Sequence, residues 1–133
     1  MFANENKTEC IDEILKFLES AVKERASHYA TMRWCEDKTQ DIMHELELLP
    51  NNYHERAKLA TELAEVRQRR RAAKDMYERL TPLAEWCDKQ RTAINALTRV
   101  LGEMRKIDEK QANRLYYKRA DGSHDVIRRR EQE

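Results

Sequence analysis

Two glycines and two prolines in 133 residues leave almost no turn punctuation. An all-β or doubly wound fold needs such residues at turn after turn, so their scarcity excludes both. No run approaches the roughly 18 to 20 consecutive apolar residues of a membrane-spanning helix. The stretch Met1 to Thr8 holds Glu5 among polar residues and lacks the apolar segment of a secretion signal. Both absences predict a cytoplasmic protein. Three cysteines, Cys10, Cys35 and Cys87, are odd in number, widely spaced and in no CxxC pair, which favours small buried thiols over disulfides or zinc ligands.

What remains is helix-forming material. Charged residues make up 38% of the chain and hydrophobic ones 40%, aromatics are 7%, and the mean hydropathy of -0.99 is too polar for one enclosed core. Elongated helices that assemble into an oligomer are expected. The net charge of +1 conceals a split: residues 1–50 carry 11 acids against 6 bases, and residues 51–133 carry 14 acids against 20 bases. Opposite charge on two segments either pairs helix with helix or receives an external anion.

Asn6 followed by Glu9 has the spacing of a helix cap, and Ile11, Leu15, Leu18, Val22, Tyr29, Met32, Met43 and Leu46 follow on an alternating 4,3 spacing. This predicts one long amphipathic helix whose seam, interrupted by Arg25, Glu36 and Thr39, kinks or frays between about 25 and 40. Leu49, Pro50, Asn51 and Asn52 predict a hairpin turn, with Asn52 capping a second helix. Leu59, Leu63, Val66, Ala73, Tyr77 and Leu80 carry the rhythm to Pro82, where a break with Thr81 as a new cap is expected. Leu83, Cys87, Ile94, Leu97, Leu101 and Met104 form a third stripe reaching about Leu115, rotated because Leu80 and Leu83 are three apart. Asp121 and Gly122 mark a turn between Tyr116-Tyr117 and Val126-Ile127, so residues 116–133 read as a short arm or hairpin. The expectation is a single all-α domain over residues 1–133: an antiparallel long-helix hairpin, a decorated coiled coil with a C-terminal arm.

Motifs of catalysis are sparse. His44-Glu45 begins a zinc-protease helix, yet Leu48 stands where the second histidine belongs. Asp41 and His44 lack the second copy that a carboxylate-bridged metal bundle requires. Glu62 and Glu65 read as a solvated face, the glycines lie 20 residues apart, and Ser20, Ser27 and Ser123 sit in no nucleophile context. The reading is a protein that is not an enzyme and needs no metal or cofactor.

Arginine and aromatic clusters are the positive signals. Arg67, Arg70, Arg71 and Lys74 share one helix face, and Arg70 falls on the seam, where it meets either an acid of the first helix such as Glu36 or a phosphate. Trp86, with Lys89 and Asn95 nearby, is either a core anchor or a surface on which a base stacks. Arg114, Tyr116, Tyr117 and Arg119 interleave cations with aromatics at the end of the third helix, as a packed tail or a nucleotide clamp. Arg128, Arg129 and Arg130 read as a solvated tail.

The runs Leu59 to Leu63, Arg69 to Asp75, Leu80 to Leu83, Ile94 to Leu97, Leu101 to Lys106 and Asn113 to Tyr116 resemble a family of small helical phage proteins, the first family of Thoeris anti-defence sponges, over roughly residues 40 to 119. The resemblance implies a homo-oligomer, a dimer or higher, that sequesters a cyclic ADP-ribose isomer or a CBASS cyclic oligonucleotide in an infected bacterial cell. It implies an aromatic on the adenine, an asparagine beside it and arginines on the phosphates, which places Trp86, Asn95, Arg114 and Arg119 in those roles; Arg70, Arg71 and Tyr117 complete the expected ligand set. A helical phage inhibitor or adaptor docking on a host protein is the alternative, and nonspecific nucleic-acid binding fits less well because the basic excess is small.

Overall fold

The Asn6 side chain accepts the backbone N–H groups of Thr8 and Glu9 and starts helix α1, Lys7–Leu48, in the computed structural model, which describes residues 6–49, 52–120 and 122–127. Asn52 caps helix α2, Tyr53–Lys89, by accepting from Glu55 N–H. The turn expected at Pro50 and Asn51 lies outside the described residues, as do Met1 to Glu5, Asp121 and Arg128 to Arg130. No described helix is long and apolar enough to cross a membrane.

The two long helices pack antiparallel, with Glu36 opposite Arg70 and Tyr29 opposite Tyr77. The α1 seam is one residue out of phase with the expected stripe at every second position. It runs Ile11, Ile14, Leu18, Ala21, Arg25, His28, Met32, Cys35, Thr39, Ile42 and Leu46, with Ala21, Cys35, Thr39 and Ile42 buried. Tyr29 and Met43, expected inside, are about half exposed at 49% and 50%. The polar seam residues neither kink nor fray the helix; Thr39 turns its hydroxyl back onto the Cys35 carbonyl at 2.7 Å and so enters the core satisfied. Cys35, Ile42 and Val66 form the tightest cluster, flanked by Leu46, Leu59 and Leu63.

Helix α2 runs straight through Pro82. Ala84 takes the seam position after Leu80, so Val66, Ala73, Ala84 and Cys87 are all buried on one unbroken 4,3 line. An interior proline costs about 3 kcal/mol, but Pro82 points outward, and packing on both sides of it holds the helix together. The break falls instead at Gln90 (φ -101, ψ 25), which ends α2 and starts helix α3, Arg91–Ala112. Gln90 N–H bonds to Trp86 O at 2.9 Å and Ile94 N–H to Gln90 O at 3.0 Å, so the chain steps sideways without a loop.

Helix α3 covers the N-terminal third of α1, burying Leu101. Arg105 pairs with Asp12 at 3.0 Å and Asp108 accepts from the Thr8 hydroxyl at 2.8 Å. The third helix ends at Ala112, short of the expected Leu115. Strands β1, Tyr116–Tyr117, and β2, Val126–Ile127, pair antiparallel as an exposed hairpin, with Gly122 at φ 68 in its turn. The three cysteines are free and buried. The exposed surface of 11120 Å² exceeds the roughly 7,400 Å² of a compact monomer of this mass, as a long two-layer rod requires.

Candidate anion-binding site

The sideways step at Gln90 lifts α3 off the α1–α2 seam and leaves a cavity of about 280 Å³. Its floor is Leu15, Leu18, Val22, Ile94 and the buried Cys87; its rim is Glu19, Lys23, Arg91, Asn95 and Thr98. The floor follows from the first part of the expected α1 stripe: Leu15 and Val22, off the α2 seam, serve the space beside α3. Lys23 pairs with Glu19 at 3.1 Å and Arg91 with Asp88 at 3.8 Å, exposed pairs of the kind worth about 0 to 1 kcal/mol, which an incoming anion displaces at little cost. The Asn95 side chain bonds to no other described residue, so its amide offers both a donor and an acceptor to a ligand. An apolar floor beside two cations and an amide suits a planar or apolar body with an anionic group.

The expected ligand residues do not converge within one chain. Asn95 lines this cavity. Arg70 and Arg71 stand on α2 opposite Glu36, about 20 to 25 Å further along the hairpin at 1.5 Å per residue. Arg70 is 20% exposed and spends its charge on Glu36, whose other oxygen faces Arg33 at 3.5 Å. That is the ion-pair alternative, and it accounts for the seam cation without a ligand. Arg71 is exposed and, among the described residues, pairs with no carboxylate. Trp86 is 48% exposed on the outer side of α2 and neither anchors the core nor lines the cavity. Arg114, whose Nη1 donates to the Tyr116 hydroxyl at 3.4 Å, lies past the end of α3, with Tyr117 and Arg119 exposed on the hairpin arm.

Sequence reasoning missed Lys23 and Arg91. Arg91 precedes Asn95 by four residues, a spacing that places both on one helix face; that signal was present but was hidden by placing the helix break at Pro82. It also missed the packing of Arg69 over the Trp34 ring at 5.0 Å, beside the Lys38–Glu62 pair.

Nearer the start of α1, Asp12 has its carboxyl held below the ordinary aspartate range by the hydrogen bond from Lys16, which burial opposes, and the charges of Lys16 and Arg105 lower it further. Its pair with Arg105 links α3 to α1. Comparison with family models, curated proteins and solved structures returns no match.

Proposed function

We propose that this chain captures a small anionic nucleotide signal without turning it over, in the cavity at the Gln90 step and as a homo-oligomer, in the manner of the phage sponge family it resembles. The observation that carries this reading is the juxtaposition of the apolar floor with Lys23, Arg91 and the uncommitted Asn95 amide. A cavity of about 280 Å³ is at the small end of ligand sites: it takes a base and part of a ribose, and leaves phosphate at the rim, where Arg91 and Lys23 stand. Asn95 then meets a base edge. The test is to incubate the purified protein with cyclic ADP-ribose isomers and cyclic oligonucleotides, remove free ligand, release what is bound by heating and identify it. Unchanged ligand supports capture, a product indicates an enzyme, and no retention removes the reading.

Docking on a host protein is the second reading, and Trp86 favours it. A tryptophan 48% exposed and outside the lining of the cavity at Gln90, with Phe17 at 63% exposed, is the type of side chain that anchors protein interfaces.

A further inference from the structure

One line of side chains on α2 changes sign halfway along its length. Positions 67, 71 and 74 are Arg, Arg and Lys; positions 78, 85 and 88, on the same 4,3 spacing, are Glu, Glu and Asp, with Thr81 between them. All seven lie on the flank of the seam that also carries Tyr29 of α1; five are exposed, and Lys74 and Thr81 are half-buried. Among the described residues, no partner within the chain pairs with Arg67, Arg71, Lys74, Glu78 or Glu85; Asp88 has only Arg91, at 3.8 Å. Six charges sorted by sign over 22 residues, about 32 Å of helix, have no cross-helix ion pair within the hairpin among the described residues, and Arg67 and Arg71 repel at i, i+4.

A strip that is basic at one end and acidic at the other is complementary to itself when reversed. We infer that it is an isologous interface: a second copy of this chain lies antiparallel on it, basic end on acidic end, about a two-fold axis at the level of Tyr77. The symmetry doubles each contact, because whatever residue i meets, the equivalent residue of the partner meets as well. The centre is aromatic. Tyr29 and Tyr77 stand with ring centroids 5.7 Å apart and the Arg25 guanidinium 6.0 Å over the Tyr77 ring, and Tyr29 is 49% exposed beside the sign change. An aromatic pair with one ring half exposed and complementary charge on both sides has the arrangement of an interface centre with a polar rim. The same line continues toward the hairpin tip through Ala64, Ala60 and Ala57, small side chains that leave room for the partner's third helix where it steps away from its own second helix. The acidic end of the strip reaches the rim of the cavity at Gln90, where Asp88 pairs with Arg91 at 3.8 Å, so a paired copy stands beside that cavity; the interface itself does not require the cavity to hold a ligand.

The experiment is a charge exchange read by analytical ultracentrifugation, with circular dichroism to show that helix content is kept. Arg67→Glu/Arg71→Glu makes the line acidic except at Lys74, and Glu78→Lys/Glu85→Lys makes it basic except at Asp88. Each variant alone is expected to dissociate at least tenfold more readily than the unaltered protein, and an equimolar mixture of the two is expected to recover a stable pair, because an acidic line then faces a basic one. On the unaltered protein, raising sodium chloride from about 50 to about 500 mM is expected to weaken the dimer at least tenfold through screening. A monomeric unaltered protein, self-association indifferent to both exchanges, or a mixture that stays monomeric overturns the inference.

Discussion

Arg70 reaches across the helix seam to Glu36, with its Nε and Nη2 both directed at the carboxylate oxygen Oε1 at 3.4 Å. The second oxygen of Glu36 faces Arg33 at 3.5 Å, so one carboxylate neutralises a cation that the heptad pattern would otherwise bury alone. The split between an acidic first half and a basic second half thus has a structural use where the helices meet. Removing only the acid leaves Arg70 largely desolvated and unpaired, which costs more than the pair contributes.

Glu36→Gln is expected to lower stability by about 1 to 2 kcal/mol, between the values for exposed and fully buried pairs, whereas Arg70→Met, which keeps the packed stem and removes the charge, is expected to be neutral or stabilising. Chemical denaturation of the two variants distinguishes them. Because Arg70 is committed to Glu36, Arg70→Ala should lower the melting temperature equally with and without a captured nucleotide. A selective loss of the ligand-dependent increment would instead assign Arg70 to the ligand.

The true register of α1 is tested by neighbouring residues. Ile42 is 1% exposed in the Cys35–Val66 cluster, and Met43 is 50% exposed. Ile42→Ala is expected to cost about 2 to 5 kcal/mol, and Met43→Ala less than about 0.5 kcal/mol. Equal losses in urea melts would restore the register that the larger side chains suggest.

That comparison also shows why the sequence was legible in outline and misleading in detail. Helix length, caps at Asn6 and Asn52 and the arm about Gly122 follow from local chemistry, which acts within a few residues. The face of α1 does not, because Tyr29 and Met43 outweigh Ala21 and Cys35 in apolar size while the close approach of α2 selects the smaller residues. Pro82 misled in the same way: its local preference for a break is overruled by Ala84 and Cys87, which keep the seam packed beyond it. The cavity was illegible for this reason, since it exists only where α3 steps off at Gln90. Of the expected ligand residues, only Asn95 was carried there.

The Asp12–Arg105 pair makes the seating of α3 depend on pH. Since the Asp12 carboxyl titrates below its unfolded range, the contribution is complete above the ordinary aspartate pKa and is lost as pH falls through that range and past the lowered folded value. Hydrogen exchange in α3 is therefore expected to accelerate on acidification while the α1–α2 seam around Ile42 stays protected. Asp12→Asn should give the faster exchange already at neutral pH and flatten its pH dependence. Unchanged α3 exchange in that variant would mean that Leu101 and its apolar neighbours hold the helix without the pair.

The cavity and the exposed tryptophan make opposite predictions for the same ligand. Arg91→Ala removes a charge-assisted hydrogen bond at the rim, worth about 1.5 to 3 kcal/mol, and should weaken capture of a nucleotide by at least tenfold in calorimetry. Asn95→Asp exchanges the amide donor that meets the base edge for an acceptor and adds a negative charge to a site that takes an anion, so it should weaken capture further without disturbing an exposed helix position. Trp86→Ala should leave affinity unchanged, because its ring lies outside the cavity lining. If Trp86→Ala instead abolishes capture while Arg91→Ala and Asn95→Asp bind normally, the ligand stacks on the outer side of α2. The partner-bound surface would then have to supply the rest of the site, since no second aromatic of the same chain stacks with Trp86 among the described residues.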